Sequence, residues 1–164
     1  MFLNNFISNV SCSFFYTIQK ADQPELKLCL TDNHASFVEI QDVEKMSNQC
    51  KFFYDGRRLE TADKTYMCRS NKMKKFMLCH TKSMNSDIDI FQSNGIFFIQ
   101  QGSMKLVKGA YDADTEGYAA EATETPANGT DSLILVKRDK VTGEVIDSES
   151  KSGAVELNAK YLPH

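Results

Sequence analysis

The dipeptide Asn94-Gly95 is the local signal that most constrains how this chain can fold. It lies between two six-residue runs, DIDIFQ (87–92) and IFFIQQ (96–101), that are rich in isoleucine and phenylalanine. Asn-Gly readily adopts the positive φ angles of a type I′ turn, whose twist matches that of paired antiparallel strands. This segment is therefore predicted to form a β-hairpin.

Short apolar or alternating runs separated by turn residues recur along most of the chain. They are predicted as strands at 11–20, 25–30, 50–54, 65–69, 74–81, 103–109 and 132–139. In KFFYDGRRLE (51–60), Asp55-Gly56 predicts a second type I′ hairpin. The segment 34–46 suits either a strand or a short helix, and a short helix is the favoured interpretation. No repeat period is visible. The predicted fold class is mainly β, an antiparallel sandwich or barrel-like domain built from hairpins, with an extended C-terminal arm.

Residue types change sharply near residue 110. All eleven Phe, all seven Met and all five Cys precede residue 111. Residues 1–110 carry fourteen Lys and Arg against eleven Asp and Glu, whereas residues 111–164 carry five against eleven. We predict a Phe- and Cys-rich mainly β domain at 1–110, an acidic linker at 111–131 and a C-terminal β-hairpin arm at 132–164. Residues 112–131 are expected to lack regular secondary structure, and the first 110 residues to fold alone.

The cysteines and the N-terminus bear on the compartment. The N-terminal stretch lacks a basic region, asparagines interrupt its apolar residues, and no segment is long enough to span a membrane. A cytoplasmic location, or one within an intracellular assembly or virion, is therefore expected, without a signal peptide. The five cysteines show no CxxC spacing, so reduced core thiols are predicted. The alternative is a disulfide between Cys50 and Cys68.

The hairpin FFYDGRRLE resembles a segment of ubiquitin-like proteins, in which an apolar strand turns through Gly into basic residues and Leu. The order of predicted elements over residues 12–81 is also similar to that family. The resemblance implies an α+β, β-grasp-like fold over 12–81 as the alternative fold class. Because the chain ends in YLPH without a diglycine, it also implies a binding module and not a conjugated modifier.

The sequence contains no motif that carries catalysis. A nucleophile needs a base within reach. Cys79 and His80 are adjacent on a predicted strand and so point to opposite faces. No metal-ligand spacing and no phosphate-binding loop occurs. No catalytic residue, metal or cofactor is therefore predicted, and a cysteine-dependent enzyme is the least favoured class.

Charge segregation is the strongest non-random feature. Residues 57–75 carry seven Lys and Arg against two Glu and Asp. The candidate partner-binding residues are Arg57, Arg58, Lys64, Arg69, Lys74 and Lys75. The candidate acidic arm comprises Asp112, Asp114, Glu116, Glu121 and Glu124. Arginine suits bidentate contacts to carboxylates, so the basic residues are expected to bind carboxylates of a protein partner, of another copy, or of this arm. Nucleic acid is the less favoured binding partner. Alternatively, these basic residues have no binding role and lie on a solvated sheet edge, where Lys prevents unwanted strand pairing.

Together these features predict a non-enzymatic structural or interaction protein, a subunit of a larger assembly such as a virion or a secretion apparatus. The alternative is a small inhibitor or immunity-type binding protein that uses the basic hairpin. No membrane partner is expected. The predicted core consists of Phe14, Leu28, Leu30, Phe52, Phe76, Leu78, Ile90, Phe97 and Ile99.

Overall fold

The structure is a computed structural model that describes residues 13–146. This part of the chain contains no α-helix, only three short 3₁₀ turns at Val43–Lys45, Asn48–Cys50 and Met84–Ser86. The strands are β1 (Phe14–Lys20), β2 (Leu26–Thr31), β3 (His34–Glu39), β4 (Phe52–Tyr54), β5 (Leu59–Thr61), β6 (Tyr66–Arg69), β7 (Phe76–Cys79), β8 (Asp89–Ser93), β9 (Ile96–Gln101), β10 (Met104–Asp112), β11 (Gly117–Thr123) and β12 (Leu133–Asp139). The mainly β prediction is confirmed.

Antiparallel pairing closes seven of these strands into a barrel. The order around it is β12-β9-β10-β11-β3-β2-β1, and β1 pairs with β12 over seven residues to complete it. Strands β4 to β7 extend from β1, and β8 pairs with β9. A closed sheet leaves few unpaired edges, which is one way that β proteins avoid unwanted strand addition.

The twelve strands form three successive sets of four. In each set the second and third strands form a hairpin: β2–β3, β6–β7 and β10–β11. The last strand of each set pairs with the first strand of the next, as β4–β5, β8–β9 and β12–β1. The sequence shows no repeat that corresponds to this arrangement.

The core prediction is confirmed. Eight of the nine predicted core residues are buried, and Phe14 is partly buried against them. Leu26, Leu28 and Leu30 show why, because alternate residues of β2 face the main hydrophobic cluster. A second, smaller cluster forms on the other side of β1 and β4, around Phe15 and Phe53. The second aromatic face of the KFFY segment is therefore covered by the chain itself.

The turns confirm one prediction and correct another. Asn94 and Gly95 both have positive φ, at 53° and 81°, as the type I′ turn requires. The β4–β5 hairpin also forms, but only Gly56 has a positive φ in its turn. Its loop contains four residues, and the carboxylate of Asp55 accepts the amides of Arg57 and Arg58 at 2.8 and 2.7 Å. The type I′ assignment at Asp55-Gly56 was therefore wrong.

The helix expected within 34–46 is replaced by strand β3. This strand pairs with β2 through six residues and with β11 on its other side. Pairing on both sides outweighs a weak helical pattern. Asp32 and Asn33, with φ of 51° and 69°, form the tight turn that joins β2 to β3. A β-grasp fold needs an α-helix packed on its sheet, and residues 13–81 contain only two short 3₁₀ turns, so that alternative was also wrong.

Residues 112–131 are not structureless, contrary to the prediction. They include strand β11, whose Ala120 and Ala122 are buried in the main cluster. Small residues let this strand approach its neighbour closely, since a Cβ on Gly117 would lie 2.8 Å from the Phe37 carbonyl oxygen. After β12, Arg138 forms an isolated antiparallel bridge with Val145 across a turn, while the predicted C-terminal hairpin arm at 132–164 stays a prediction. Residues 147–164 lie outside the described part.

The prediction of reduced thiols was wrong for four of the five cysteines. Disulfides join Cys29 to Cys50 and Cys68 to Cys79, with Cα–Cα distances of 4.2 and 6.1 Å. The alternative pairing of Cys50 with Cys68 is wrong as well. Cys29 lies on β2 beside the 3₁₀ turn that holds Cys50, and Cys68 and Cys79 lie on the paired strands β6 and β7. Cys12 lies outside the described residues.

Candidate functional site

The two arginines of the β4–β5 loop bind a carboxylate of their own chain. The Arg57 guanidinium contacts both carboxylate oxygens of Asp87, at 2.9 and 3.3 Å, and Arg58 Nη2 lies 3.2 Å from the nearer one. Arg58 Nε also donates to the Ser86 hydroxyl at 3.2 Å. Asp87 raises the pKa of Arg57 through this hydrogen bond and its charge. The two arginines therefore pair with a carboxylate of their own chain that lies outside the acidic arm, and their binding to a partner stays a prediction.

The remaining basic candidates do not form one surface, because they lie in different parts of the fold. Arg69 donates to the Gln101 side-chain oxygen, and the same amide donates to the Met84 carbonyl. Arg57, Arg58 and Arg69 thus gather around the 3₁₀ turn Met84–Ser86. Lys64, with a φ of 63°, lies apart from them in an exposed turn.

Lys74 and Lys75 lie beside the acidic strand β11. The Ala122 amide donates to the Lys74 carbonyl at 2.9 Å, and Lys75 stands opposite Glu121. This contact is made by backbone. None of the ion pairs of residues 13–146 joins the basic candidates to Asp112, Asp114, Glu116, Glu121 or Glu124. The partner-binding role of the basic candidates stays a prediction.

A groove with different chemistry lies on the outer face of β8, β9 and β10. It is lined by Phe91, Phe98, Gln100, Lys105 and Asp131, and its volume is about 340 Å³. This is within the range of small-molecule sites, about 300–1,000 Å³. We call it the aromatic groove.

Strand register builds the aromatic groove. Phe91 on β8 is directly opposite Phe98 on β9, and Gln100 is opposite Lys105 on β10. The intervening residues Ile90 and Ile99 point inward to the core. The alternation therefore leaves two phenylalanines partly exposed on the outer face, beside a row of polar residues.

The charged groups of the aromatic groove are available to a ligand. Within residues 13–146, the Lys105 ammonium and the Asp131 carboxylate make no hydrogen bond or ion pair. The Gln100 amide nitrogen donates to the Gly102 carbonyl, which fixes the side chain and leaves its oxygen as an acceptor. The groove thus offers an apolar floor with a donor, an acceptor and a carboxylate at its edges.

Asp89 extends this polar row at the β8 edge. It is opposite Gln100 and lies on the same strand face as Phe91. Burial raises the pKa of Asp89, and the charge of nearby Asp87 raises it further. The carboxylate therefore sits in a place that disfavours its charged form.

A second cavity, of about 320 Å³, lies where β1 meets the end of β12. Its lining includes Phe15, Glu44, Lys51 and Lys140. Phe15 is only 1% exposed, and the Lys51 ammonium lies 5.4 Å from its ring centre. The cavity thus presents charged groups without an accessible aromatic surface, and the aromatic groove is the stronger candidate site.

Sequence reasoning did not find the aromatic groove, although part of the signal was present. The Asn94-Gly95 turn sets the pairing of Phe91 with Phe98, because a two-residue loop determines the register on both sides. Once Ile90 and Ile99 are assigned to the core, both phenylalanines must face outward. Asp131 could not have been added, since it reaches the site through long-range packing.

Two kinds of catalytic group were sought in the described part of the chain, a free cysteine thiol and a metal cluster. All four cysteines within residues 13–146 are in disulfides, so Cys79 cannot act as a thiol nucleophile. No group of three or more His, Cys, Asp or Glu among these residues is arranged to hold a metal ion. The same residues include no helix long and apolar enough to cross a membrane.

Comparisons with known proteins identify the fold. No family model and no curated protein sequence matches the chain. Several solved structures do. The Macrolepiota procera ricin B-like lectin in complex with lactose is 12% identical, with a TM-score of 0.58 over 74% of this chain and 93% of that one. A structure described as BEL β-trefoil is 8% identical, with a TM-score of 0.55 over 82% and 93%.

A GlcNAcα1-4Gal-releasing endo-β-galactosidase from Clostridium perfringens is also similar. It is 13% identical, with a TM-score of 0.61 over 79% of this chain but only 33% of the enzyme. These likenesses show that the chain has the β-trefoil fold, with three sets of four strands.

Proposed function

We propose that this protein is a non-enzymatic carbohydrate-binding module whose ligand occupies the aromatic groove. The observation that carries the proposal is the arrangement of Phe91 and Phe98, side by side and partly exposed, with Gln100, Lys105 and Asp131 around them. Fold similarity to a lectin that was solved with lactose supports the same class of ligand. The fold alone would not be sufficient, since one fold hosts many functions.

Sugar rings match the chemistry of the aromatic groove. One face of a pyranose exposes C–H bonds, which pack against the electron-rich face of an aromatic ring. The rim of the ring carries hydroxyls, each of which is both a donor and an acceptor. A carboxylate such as Asp131 accepts from two hydroxyls, and the Lys105 ammonium and Gln100 oxygen complete the set. No group in this arrangement needs to act as a nucleophile.

A glycan array followed by calorimetry tests the proposal. We expect at least one oligosaccharide to bind, with lactose as the first soluble probe. Phe98→Ala and Phe91→Ala should each weaken binding about fivefold or more, because a buried aromatic contact typically contributes over about 1 kcal/mol at a binding site. Melting temperatures should change little, since both rings lie on the outer face.

Tyr111→Ala is the matched control. Tyr111 is also an exposed aromatic residue, 59% accessible, but it lies at the far end of β10, outside the aromatic groove. Its replacement should leave glycan affinity unchanged. The proposal is wrong if no glycan binds, or if the Phe98 and Tyr111 variants bind equally well.

The finer prediction of an assembly subunit remains a separate hypothesis. It is supported by the cationic residues Lys64, Lys72 and Lys74, which are exposed and have no ion pair within residues 13–146. Mass photometry at several concentrations tests it. A subunit of an assembly should form larger species, whereas an isolated binding module should remain at one mass.

A further inference from the structure

We propose that Lys20 is a positioning residue that holds the loop carrying Asp131 in place for ligand binding. The inference rests on the proposed carbohydrate-binding function of the aromatic groove. It assigns to a buried lysine, which is outside the groove, a role in setting the geometry of one wall.

The Lys20 ammonium is enclosed by backbone carbonyls. The residue is only 1% exposed, and Nζ donates to the carbonyls of Gly129, Thr130 and Ser132 at 3.2, 2.7 and 3.2 Å. An ammonium has three protons, so all three are used on one short loop. The only residue of 129–132 whose carbonyl is not bound by this ammonium is Asp131, which is one of the residues that line the aromatic groove.

Backbone contacts attach the same loop to strands on two sides. The Ala21 amide, just after β1, donates to the Ser132 carbonyl at 3.0 Å, and the Lys108 amide on β10 donates to the Thr130 carbonyl at 3.2 Å. Gly129 has a φ of 81°, which lets the chain turn sharply before Thr130. Lys20 supplies three of the contacts that define this loop, and all come from one side chain.

The charges around Lys20 do not include a direct ion pair. Burial lowers the pKa of Lys20 below the ordinary value for lysine, and this effect is larger than the opposing charges of Asp22 and Asp131, which raise the pKa, and that of Lys108, which lowers it. Lys108 itself is held by Gln23 Oε1 at 2.8 Å and lies over the Tyr118 ring. Retaining a cation in so unfavourable a place requires compensation, which the three carbonyls provide.

A double-mutant cycle separates positioning from general stabilisation. Lys20→Met preserves length and apolar volume but removes the three donors. We expect it to weaken binding of the array-identified oligosaccharide about fivefold or more. In an Asp131→Asn background the same change should alter affinity less than about twofold, because coupled residues are not additive. A purely structural effect would reduce affinity by the same factor in both backgrounds.

Lys27→Met is the matched control. Lys27 is another buried lysine whose ammonium donates to two carbonyls, those of Pro24 and Ile40, away from the aromatic groove. It should lower the melting temperature and leave glycan affinity unchanged. If Lys20→Met does not fold, Lys20→Arg replaces it. Arginine keeps the charge but cannot direct three protons from one nitrogen, so affinity should fall while the chain remains folded.

The outcomes distinguish the two proposals. If Phe98→Ala retains full affinity, the aromatic groove is not the site and the proposed function fails. If Phe98→Ala loses affinity while the folded Lys20 variants bind as well as the wild type, or lose the same factor with and without Asp131, the groove stands and the positioning role of Lys20 is overturned.

Discussion

Burial shifts the protonation of this protein's side chains in opposite directions for bases and acids. The pKa values of Lys20, Lys27 and Arg138 are lowered, with desolvation the first cause for each. The pKa values of Glu60 and Asp89 are raised for the same reason. Both shifts disfavour charge at positions that are wholly or partly removed from water. The buried cations are compensated by hydrogen bonds to neutral oxygens, whereas within residues 13–146 the Asp89 carboxylate makes no ion pair.

The raised pKa of Asp89 predicts that the stability of the folded protein depends on pH. Its pKa in the folded state is raised above the ordinary 3.8, so the folded protein binds more protons than the unfolded chain between these two values. Stability contributed by this group is therefore complete below pH 3.8 and is lost as pH rises through the folded pKa. We expect Asp89→Asn to raise the melting temperature at pH 7 and to have no such effect below pH 3.8.

Thermal unfolding from pH 3 to 8 measures this difference. Asp114→Asn serves as a control, because Asp114 is an exposed carboxylate of the β10–β11 turn, and it should leave the curve unchanged. A variant of Asp89 that is less stable at pH 7 would show that the carboxylate makes a contact that outweighs its desolvation.

At the scale of the elements, the disulfides cross-link the part of the fold that contains its shortest strands. Strands β4 and β5 have three residues each, and the hairpin β6–β7 has four-residue strands. Cys68–Cys79 joins the two strands of that hairpin, and Cys29–Cys50 joins β2 to the turn that leads into β4. Disulfides of this kind are typical of oxidising compartments. The cytoplasmic location stays a prediction.

Removing the disulfide that closes the longer loop should lower the free energy of unfolding substantially. Cys29 and Cys50 are separated by 21 residues, for which the loss of a cross-link typically costs about 2–4 kcal/mol. We expect the Cys29→Ser/Cys50→Ser variant to unfold at lower urea concentration by about that free energy.

Adding a reductant should destabilise the wild type more than this variant, because the variant has one disulfide fewer to lose. Equal loss in both would contradict a role for Cys29–Cys50. Trapping of free thiols immediately after cell lysis would show whether the bonds exist in the cell, and reduced thiols there would favour the cytosolic prediction.

At the scale of the whole molecule, the hairpins are joined into a closed barrel. The barrel is completed by β12 against β1, a pairing between residues more than a hundred positions apart. Strand β11 fills the space between β10 and β3. Strand β11 comes from the predicted acidic linker at 111–131 and β12 from the predicted C-terminal arm at 132–164.

Truncation tests the predicted domain boundary. Whether residues 1–110 fold alone stays open to experiment, but the structure leads us to expect that they do not. Deleting residues 111–164 would remove β11 and β12, expose an edge of β1 and leave the Lys20 ammonium without its three carbonyls. Circular dichroism and NMR should show an unfolded or aggregated chain.

A deletion that begins after residue 146 is the control for this truncation. It retains every described strand, and we expect it to remain folded. A stable, dispersed NMR spectrum from residues 1–110 would instead support the boundary predicted from composition.

The extent of sequence prediction follows from the range of each interaction. Local patterns were sufficient for the strand class, the core face and the Asn94-Gly95 turn, because alternation and turn chemistry involve neighbouring residues. The segment 34–46 and strand β11 were misjudged because their conformation depends on partners far along the chain, Tyr118 opposite Phe37 among them. The small residues of β11 do not resemble a typical hydrophobic core strand in sequence. They are buried because the neighbouring strands leave room only for small side chains.

The candidate site also combines features set by local sequence with features set by long-range contacts. The sequence by itself determined that Phe91 and Phe98 share an outward face, since register follows from the turn between them. Only the tertiary structure brought Asp131 to that face, paired Arg57 with Asp87 and enclosed Lys20 in carbonyls. The physical reason is that pairing within a hairpin is set by a few adjacent residues, whereas closing a barrel brings together groups whose separation in sequence carries no local signal.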